Sequence, residues 1–314
     1  MAKVIIADGG GHSDGSMVKL AEQVNAPMPI VVITRPDNYQ FNEEILSLKG
    51  KPYLIFDVVE LGWDAPLKFT HFFGVNTGEF SHLFLGEQWK RLDDFIANNP
   101  PQKYFCREML AKDQTDYYVP INYPCVQPVP EPVTKTEFEQ RPLDAFYTWG
   151  YSHPERRRLA GDIWIQANPR NYTVCDNLYY LEKFIQFQKN DKRWLAANIP
   201  DYCRHPAEQI INLQSLSKIS ISMPGAGTCC FRHTESCINS TMLMKEDFMA
   251  WSFPWHHNIN CLKFLNFGDE IETISFGLNN PNLYDVYRQG VENCKKYEIN
   301  TYIEKYLLQT INES

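Results

Sequence analysis

The chain has 314 residues, enough for about two domains with cores of their own. Its 44% hydrophobic and 14% aromatic content excludes a disordered chain, and no apolar run approaches the ~20 residues of a bilayer span. The formal net charge of −8 weighs against a polyanionic partner such as nucleic acid, although a local basic patch can overcome it.

The N-terminal run Lys3 to Asp8 is too short for a signal peptide and reads as a first strand. Gly9-Gly10-Gly11-His12-Ser13-Asp14-Gly15 follows as a loop, and Ser16 to Val24 has helical spacing. Ile30 to Thr34 and Tyr53 to Val59 read as strands. Their continuous apolar runs suit a parallel sheet covered on both faces. Phe80 to Ala97 reads as a helix with Phe84, Leu92, Phe95 and Ile96 inward, and Lys103 to Cys106 as a further strand. Pro120, Pro124, Pro128, Pro130 and Pro132 then fall close together, which excludes a helix or a central strand across them. Residues 119–140 therefore read as an extended connector between a domain at 1–118 and one at 141–314.

A second strand-helix series follows. Strands are expected at Leu143 to Trp149, Tyr172 to Cys175, Lys218 to Ser222 and Thr241 to Lys245. Helices are expected at Pro154 to Gln166, Asn177 to Gln188, Pro206 to Leu216, Phe231 to Asn239 and, for most of its length, Leu283 to Leu308. Alternation of this kind predicts an α/β protein with two Rossmann-like domains. The nine cysteines are odd in number and include no C-x-x-C pair, so reduced, mostly buried thiols in a cytoplasmic protein are expected.

The richest stretch runs from Lys218 through Pro224-Gly225-Ala226-Gly227 to Phe231-Arg232-His233-Thr234-Glu235. A strand enters a glycine loop, and the loop feeds a helix, which is the carboxyl edge where open α/β sheets bind ligands. Gly225 and Gly227 let backbone N–H groups approach a phosphate, and the helix N-terminus adds positive potential. Arg232 offers a fork for a diphosphate, and Glu235, three residues on, shares its face and suits a ribose diol. The competing reading is a tight turn followed by a surface Arg–Glu pair, since two glycines alone are weak evidence.

This segment, with the following Ser240-Thr241-Met242-Leu243-Met244-Lys245-Glu246-Asp247-Phe248, resembles the C-terminal domain of GT-B fold glycosyltransferases. It is closest in style to the exostosin-like group and is also similar to the β-glucosyltransferase that phages use on hydroxymethylated DNA. The resemblance implies two domains facing a cleft, a donor diphosphate on Arg232 and a donor ribose on Glu235. Leu143 to Trp149, Gly150 and the basic run Arg156-Arg157-Arg158 are similar to the family's strand, glycine turn and arginine-bearing helix. The resemblance implies donor-phosphate roles for Gly150 and Arg156, with Arg157 as the neighbouring option. Arginines in a first helical turn oppose the macrodipole, so an anionic ligand would account for them; a solvated helix start is the alternative.

Over 1–140 the likeness is architectural, except that Lys51 to Glu60 resembles the strand end bearing the catalytic aspartate of the phage enzyme. A transferase needs a base for the acceptor hydroxyl. Asp57 is the candidate by that comparison, which also implies inversion, with Glu60 and Asp64 nearby. His12 and Asp14 follow the first strand and are expected to face the same edge; capping of the next helix by Asp14 or Ser13 is the alternative reading. The glycine loop at 9–15 has neither the dinucleotide-binding spacing nor a P-loop G-K-[ST], which disfavours an NAD-dependent oxidoreductase. No Asp-x-Asp occurs and His256-His257 point apart in regular structure, so no metal site is expected. The expected donor is a UDP- or GDP-sugar, with no further cofactor. The expected acceptor is a glycan, with modified DNA as a second reading and an inactive sugar-nucleotide-binding module as a reading of another class.

Overall fold

The computed structural model describes residues 3–7, 15–33, 42–58, 91–92, 94–107, 109–125, 128–149, 171–175, 207–222, 232–246, 249–266 and 268–313. Ten strands form two parallel sheets among these residues. The first sheet holds β1 (Val4–Ile6), β2 (Ile30–Ile33), β3 (Leu54–Asp57), β4 (Lys103–Cys106) and β5 (Tyr118–Pro120), in sequence order. The second holds β6 (Leu143–Trp149), β7 (Asn171–Cys175), β8 (Ser217–Ser222), β9 (Thr241–Lys245) and β10 (Leu262–Phe264). Its order is β10-β9-β8-β6-β7, so β6 has β7 on one side and β8 on the other. The expected α/β architecture of two Rossmann-like units is therefore present.

Burial explains the uninterrupted apolar runs. Every residue of β2, β3 and β4 is buried, as parallel strands covered on both faces require. The helix Gly15–Gln23 buries Met17, Leu20 and Ala21, with Val24 just beyond, at the spacing of one helical face. Leu92, Phe95 and Ile96 are buried as expected, while Phe84 lies outside the described residues, as do the helices expected at 154–166 and 177–188.

The connector differs in detail from the expectation. Pro120 ends β5, an edge strand where a missing N–H is tolerated. Farther on, Lys135–Glu139 forms one helical turn. A reciprocal cap starts it: Thr134 Oγ1 accepts from the Glu137 N–H at 3.3 Å, and Glu137 Oε2 accepts from the Thr134 N–H at 2.8 Å. The sequence reading also passes over β10 and the helix Glu270–Asn279.

The chain's end does not continue as one long helix. Just past the helix Leu283–Lys295, the Tyr297 carbonyl accepts from Cys125 N at 2.7 Å and Glu298 Oε1 accepts from Val129 N at 2.7 Å, both donors being connector amides. A second helical stretch from Ile299 to Asn312, with a π segment at Ile303–Leu307, then packs on the first half. Tyr306 Oη donates to the Pro120 carbonyl at 2.6 Å, and Tyr302 Oη accepts from Asn122 N at 2.9 Å. One hydrophobic cluster consequently runs from Phe56 and Phe105 through Tyr123 to Tyr287, Tyr302 and Leu307.

Helices 232–239 and 283–295 meet at Gly290. A Cβ there would lie 2.6 Å from Cys237 Sγ and 2.7 Å from the Asn260 carbonyl oxygen, and a backbone atom cannot step aside. Gly290→Ala is expected to cost about 1–3 kcal/mol by overpacking. Gly277→Ala, whose Cβ would meet the mobile ends of Leu262 and Ile219, should cost less. Urea denaturation of the two variants checks the ranking.

Candidate donor site

The order of the second sheet places side by side the strand ends after which the two glycine motifs follow in sequence. β6 pairs with β8 in parallel, with Tyr147 opposite Ile221, so the carboxyl ends at Trp149 and Ser222 are neighbours. Between β6 and β8 the direction of winding reverses, because β7 lies on the far side of β6. A reversal of this kind opens a crevice at the carboxyl edge, the recurring ligand position in open α/β sheets. The segments that begin at Gly150 and at Met223 both leave from this point. Gly150, Arg156, Arg157, Gly225 and Gly227 themselves lie outside the described residues.

Arg232 and Glu235 begin the helix Arg232–Asn239, which returns from that edge. Both side chains are half-buried, and Glu235 lies in the first turn, where a carboxylate complements the helix dipole. Burial raises the Glu235 carboxyl above its ordinary value, and the Arg232 charge pulls it back in part. The helix is anchored behind them. The buried thiol of Cys294, in the neighbouring helix Leu283–Lys295, donates to the Thr234 carbonyl at 3.8 Å. The guanidinium of the buried Arg141 donates to the carbonyls of Ser217 (2.7 Å) and Asn239 (2.8 Å), tying the helix end to the start of β8. His233 is buried, with its ring 5.3 Å from that of Trp251.

In the first sheet, Asp57 ends β3 at the carboxyl edge, level with Ile33 and Cys106. It is fully buried, and Tyr104 Oη donates to its Oδ2 at 2.8 Å. Arg107 follows β4 at the same edge. It is buried, donates from Nη1 to the Val58 carbonyl at 3.1 Å, and lies 4.2 Å over the Tyr123 ring. Sequence reading overlooked Tyr104 and Arg107; the one available signal was the place of Arg107 just past the end of an expected strand. His12, Ser13, Asp14, Glu60 and Asp64 lie outside the described residues.

The two carboxyl edges meet. Met249, in the segment leaving β9, forms an antiparallel bridge with Leu110, in the segment leaving β4, and Ala250 N donates to the Met109 carbonyl at 2.8 Å. His257 Nδ1 accepts from Lys263 N at 2.9 Å, and the His256 backbone N–H donates to Asn260 Oδ1 at 2.6 Å. Among the described residues no group of three or more His, Cys, Asp or Glu side chains is disposed to hold a metal ion, and no helix is long and apolar enough to cross a membrane. The five described free cysteines, Cys106, Cys125, Cys237, Cys261 and Cys294, are all buried.

No protein-family model matches the sequence, and no curated protein matches it. Solved structures do match the fold. HepE from Anabaena, solved with UDP, aligns over 99% of this chain and 100% of its own at a TM-score of 0.59 and 9% identity. A glycosyltransferase from Rickettsia africae covers 99% of this chain and 97% of its own at 0.51 and 13% identity. The UDP-forming α,α-trehalose-phosphate synthase of Burkholderia vietnamiensis covers 95% and 78% at 0.53 and 11% identity. The chain thus has the GT-B architecture of two Rossmann-like domains, as the sequence motifs implied.

The raised Glu235 carboxyl has a measurable consequence. Its folded value lies above the unfolded one, so its contribution to folding is complete at low pH and is lost as pH rises through the raised value. Glu235→Gln should abolish that loss. The variant's melting temperature relative to wild type is expected to climb as pH rises above the ordinary carboxylate range; a flat difference would place the carboxyl at its ordinary value.

Proposed function

We propose that this chain is a glycosyltransferase that moves a sugar from a nucleotide-sugar donor to a hydroxyl group of a glycan. The observation that carries the reading is the adjacency of the carboxyl ends of β6 and β8, after which Gly150 and Gly225–Gly227 follow in sequence, with Arg232 and Glu235 in the first turn of the next helix. Backbone N–H groups at such loops and a guanidinium fork suit a diphosphate, and the half-buried carboxylate suits a ribose diol. HepE has been solved with UDP and with UDP-glucose, which makes a UDP-sugar our first choice of donor, ahead of a GDP-sugar. Arg156, or Arg157 beside it, would add charge to the leaving diphosphate. The likeness to the exostosin-like group and to the phage enzyme rests on the sequence motifs.

The acceptor base is proposed from the first sheet's carboxyl edge. Asp57 is in place there but enclosed by Tyr104, and His12 and Asp14 belong to the segment that leaves β1 at the same edge. An inverting transfer needs a single such base on the acceptor side. The proposal gives the protein no metal ion, in keeping with the lack of an Asp-x-Asp sequence.

Thermal-shift titration with UDP-, GDP-, CMP- and dTDP-sugars tests the donor. A selective rise with one of them is expected, because a ligand of the native state alone stabilises it. Arg232→Ala should weaken that donor by about 1.5–3 kcal/mol, the worth of a charge-assisted hydrogen bond; unchanged affinity in a folded variant would remove Arg232 from the site. Transfer assays on glycans and on hydroxymethylated DNA separate the two acceptors, and donor binding without turnover on either would favour a binding module.

For the base, Asp57→Asn is compared with His12→Ala and Asp14→Asn at saturating donor. The variant that binds donor but loses transfer identifies the base. If Asp57 serves only to hold the edge, its variant loses stability and keeps transfer.

A further inference from the structure

We propose that Trp251 is a positioning residue that fixes the first turn of the Arg232–Asn239 helix against the first half of the chain. Its bearing on donor binding rests on the reading of Arg232 and Glu235 given above.

The segment 249–253 acts as a strap between the two halves. Its start is bolted to the carboxyl side of β4 through the Met249–Leu110 bridge and the Ala250–Met109 hydrogen bond of 2.8 Å. Ala250 is buried in the hydrophobic cluster of the first sheet, beside residues such as Ile33 and Met109. Past the tryptophan, Ser252 N donates to Asn122 Oδ1 at 2.7 Å, and Ser252 Oγ lies 2.7 Å from Tyr302 Oη. The backbone of Phe253 is clasped at both polar atoms by one hydroxyl: its N–H donates to Tyr297 Oη at 3.2 Å and its carbonyl accepts from it at 2.7 Å. Anchors on either side leave little freedom at Trp251.

From this fixed strap the half-buried indole of Trp251 meets the buried His233 ring at 5.3 Å, inclined by 52°. His233 stands between Arg232 and Glu235 in the turn that would face the donor. On its other side Trp251 stands edge-on to Trp255 at 6.4 Å, and Trp255 stacks on Tyr297 at 5.8 Å with planes 3° apart. The indole is thus backed by a stack that is itself rooted in the turn before the tail helix. A sideways shift of the first half relative to the second would move the strap and, through this ring pair, the start of the helix. Packed aromatic pairs transmit such shifts because close-packed interiors do not yield continuously.

Hydrogen–deuterium exchange of the full-length protein, with or without turnover, tests the proposal. Trp251→Ala is expected to speed exchange in the peptide 232–239 by up to about tenfold, the ceiling set by one aromatic pair. Strand β8 should be unaffected, and Trp251→Phe should restore most of the protection. Asn122→Ala, which frees the strap while leaving the indole intact, should speed exchange in the same peptide to a lesser degree. It carries the test if Trp251→Ala does not fold. Wild-type exchange at 232–239 in the variants, or equal acceleration over the whole chain, would overturn the proposal.

With UDP-glucose as probe, Trp251→Ala should raise the donor Kd by a similar factor. A wild-type protein that binds no sugar nucleotide would defeat the donor-site reading, while the exchange result would still decide the role of Trp251.

Discussion

Parallel strand pairing is the constraint on which the molecule depends. Each of the eight described ladders is parallel, so every strand in a sheet delivers its carboxyl end to the same edge. Segments far apart in sequence, such as those following Trp149 and Ser222, thereby begin one strand spacing apart. The antiparallel contact of Met249 with Leu110 adds a second condition by joining the edges of the two sheets. On the function proposed above, a donor at one edge would then face groups of the other, as transfer between two bound molecules demands.

Burial, more than surface charge, holds the halves in this relation. The connector places Tyr123, Cys125 and Val129 in the same apolar cluster as Tyr287, Tyr297 and Leu307. Burying one large apolar side chain stabilises by about 1.5–3 kcal/mol. The ion pair of Lys295 with Glu131, at 2.8 Å, also ties connector to helix, but its carboxylate is 83% exposed and such pairs contribute at most about 1 kcal/mol. Tyrosine hydroxyls supply direction: Tyr297, Tyr302 and Tyr306 each bond a backbone atom of the connector or strap.

Strands with unbroken apolar runs, β2 and β3, were legible because burial on both faces leaves no polar alternation to confuse the period. β10 has three residues with Lys263 in the middle, too short a pattern to detect. The helix at 135–139 carried its own signal in Thr134 and Glu137, but the surrounding prolines outweighed it. Arginines show the limit most clearly. Arg141 and Arg107 look in sequence like any surface cation, yet both are buried and bonded to main-chain carbonyls. Arg232 was identified from its local setting, between a glycine loop and a glutamate one turn away.

By itself the sequence marked strands β1 to β4 and β6 to β9 and the helices beginning near 15, 207, 232 and 283, and it marked the glycine loops with Arg232 and Glu235, because periodicity, capping and loop chemistry act over a few residues. Only the tertiary structure decided that β6 and β8 are neighbours, that Asp57 is enclosed by Tyr104, and that Trp251 reaches His233 from a strap fastened to the other half. Those relations depend on strand order and on contacts between residues tens to hundreds of positions apart. No local pattern encodes them, since the free energy that selects them comes from burying the whole core at once.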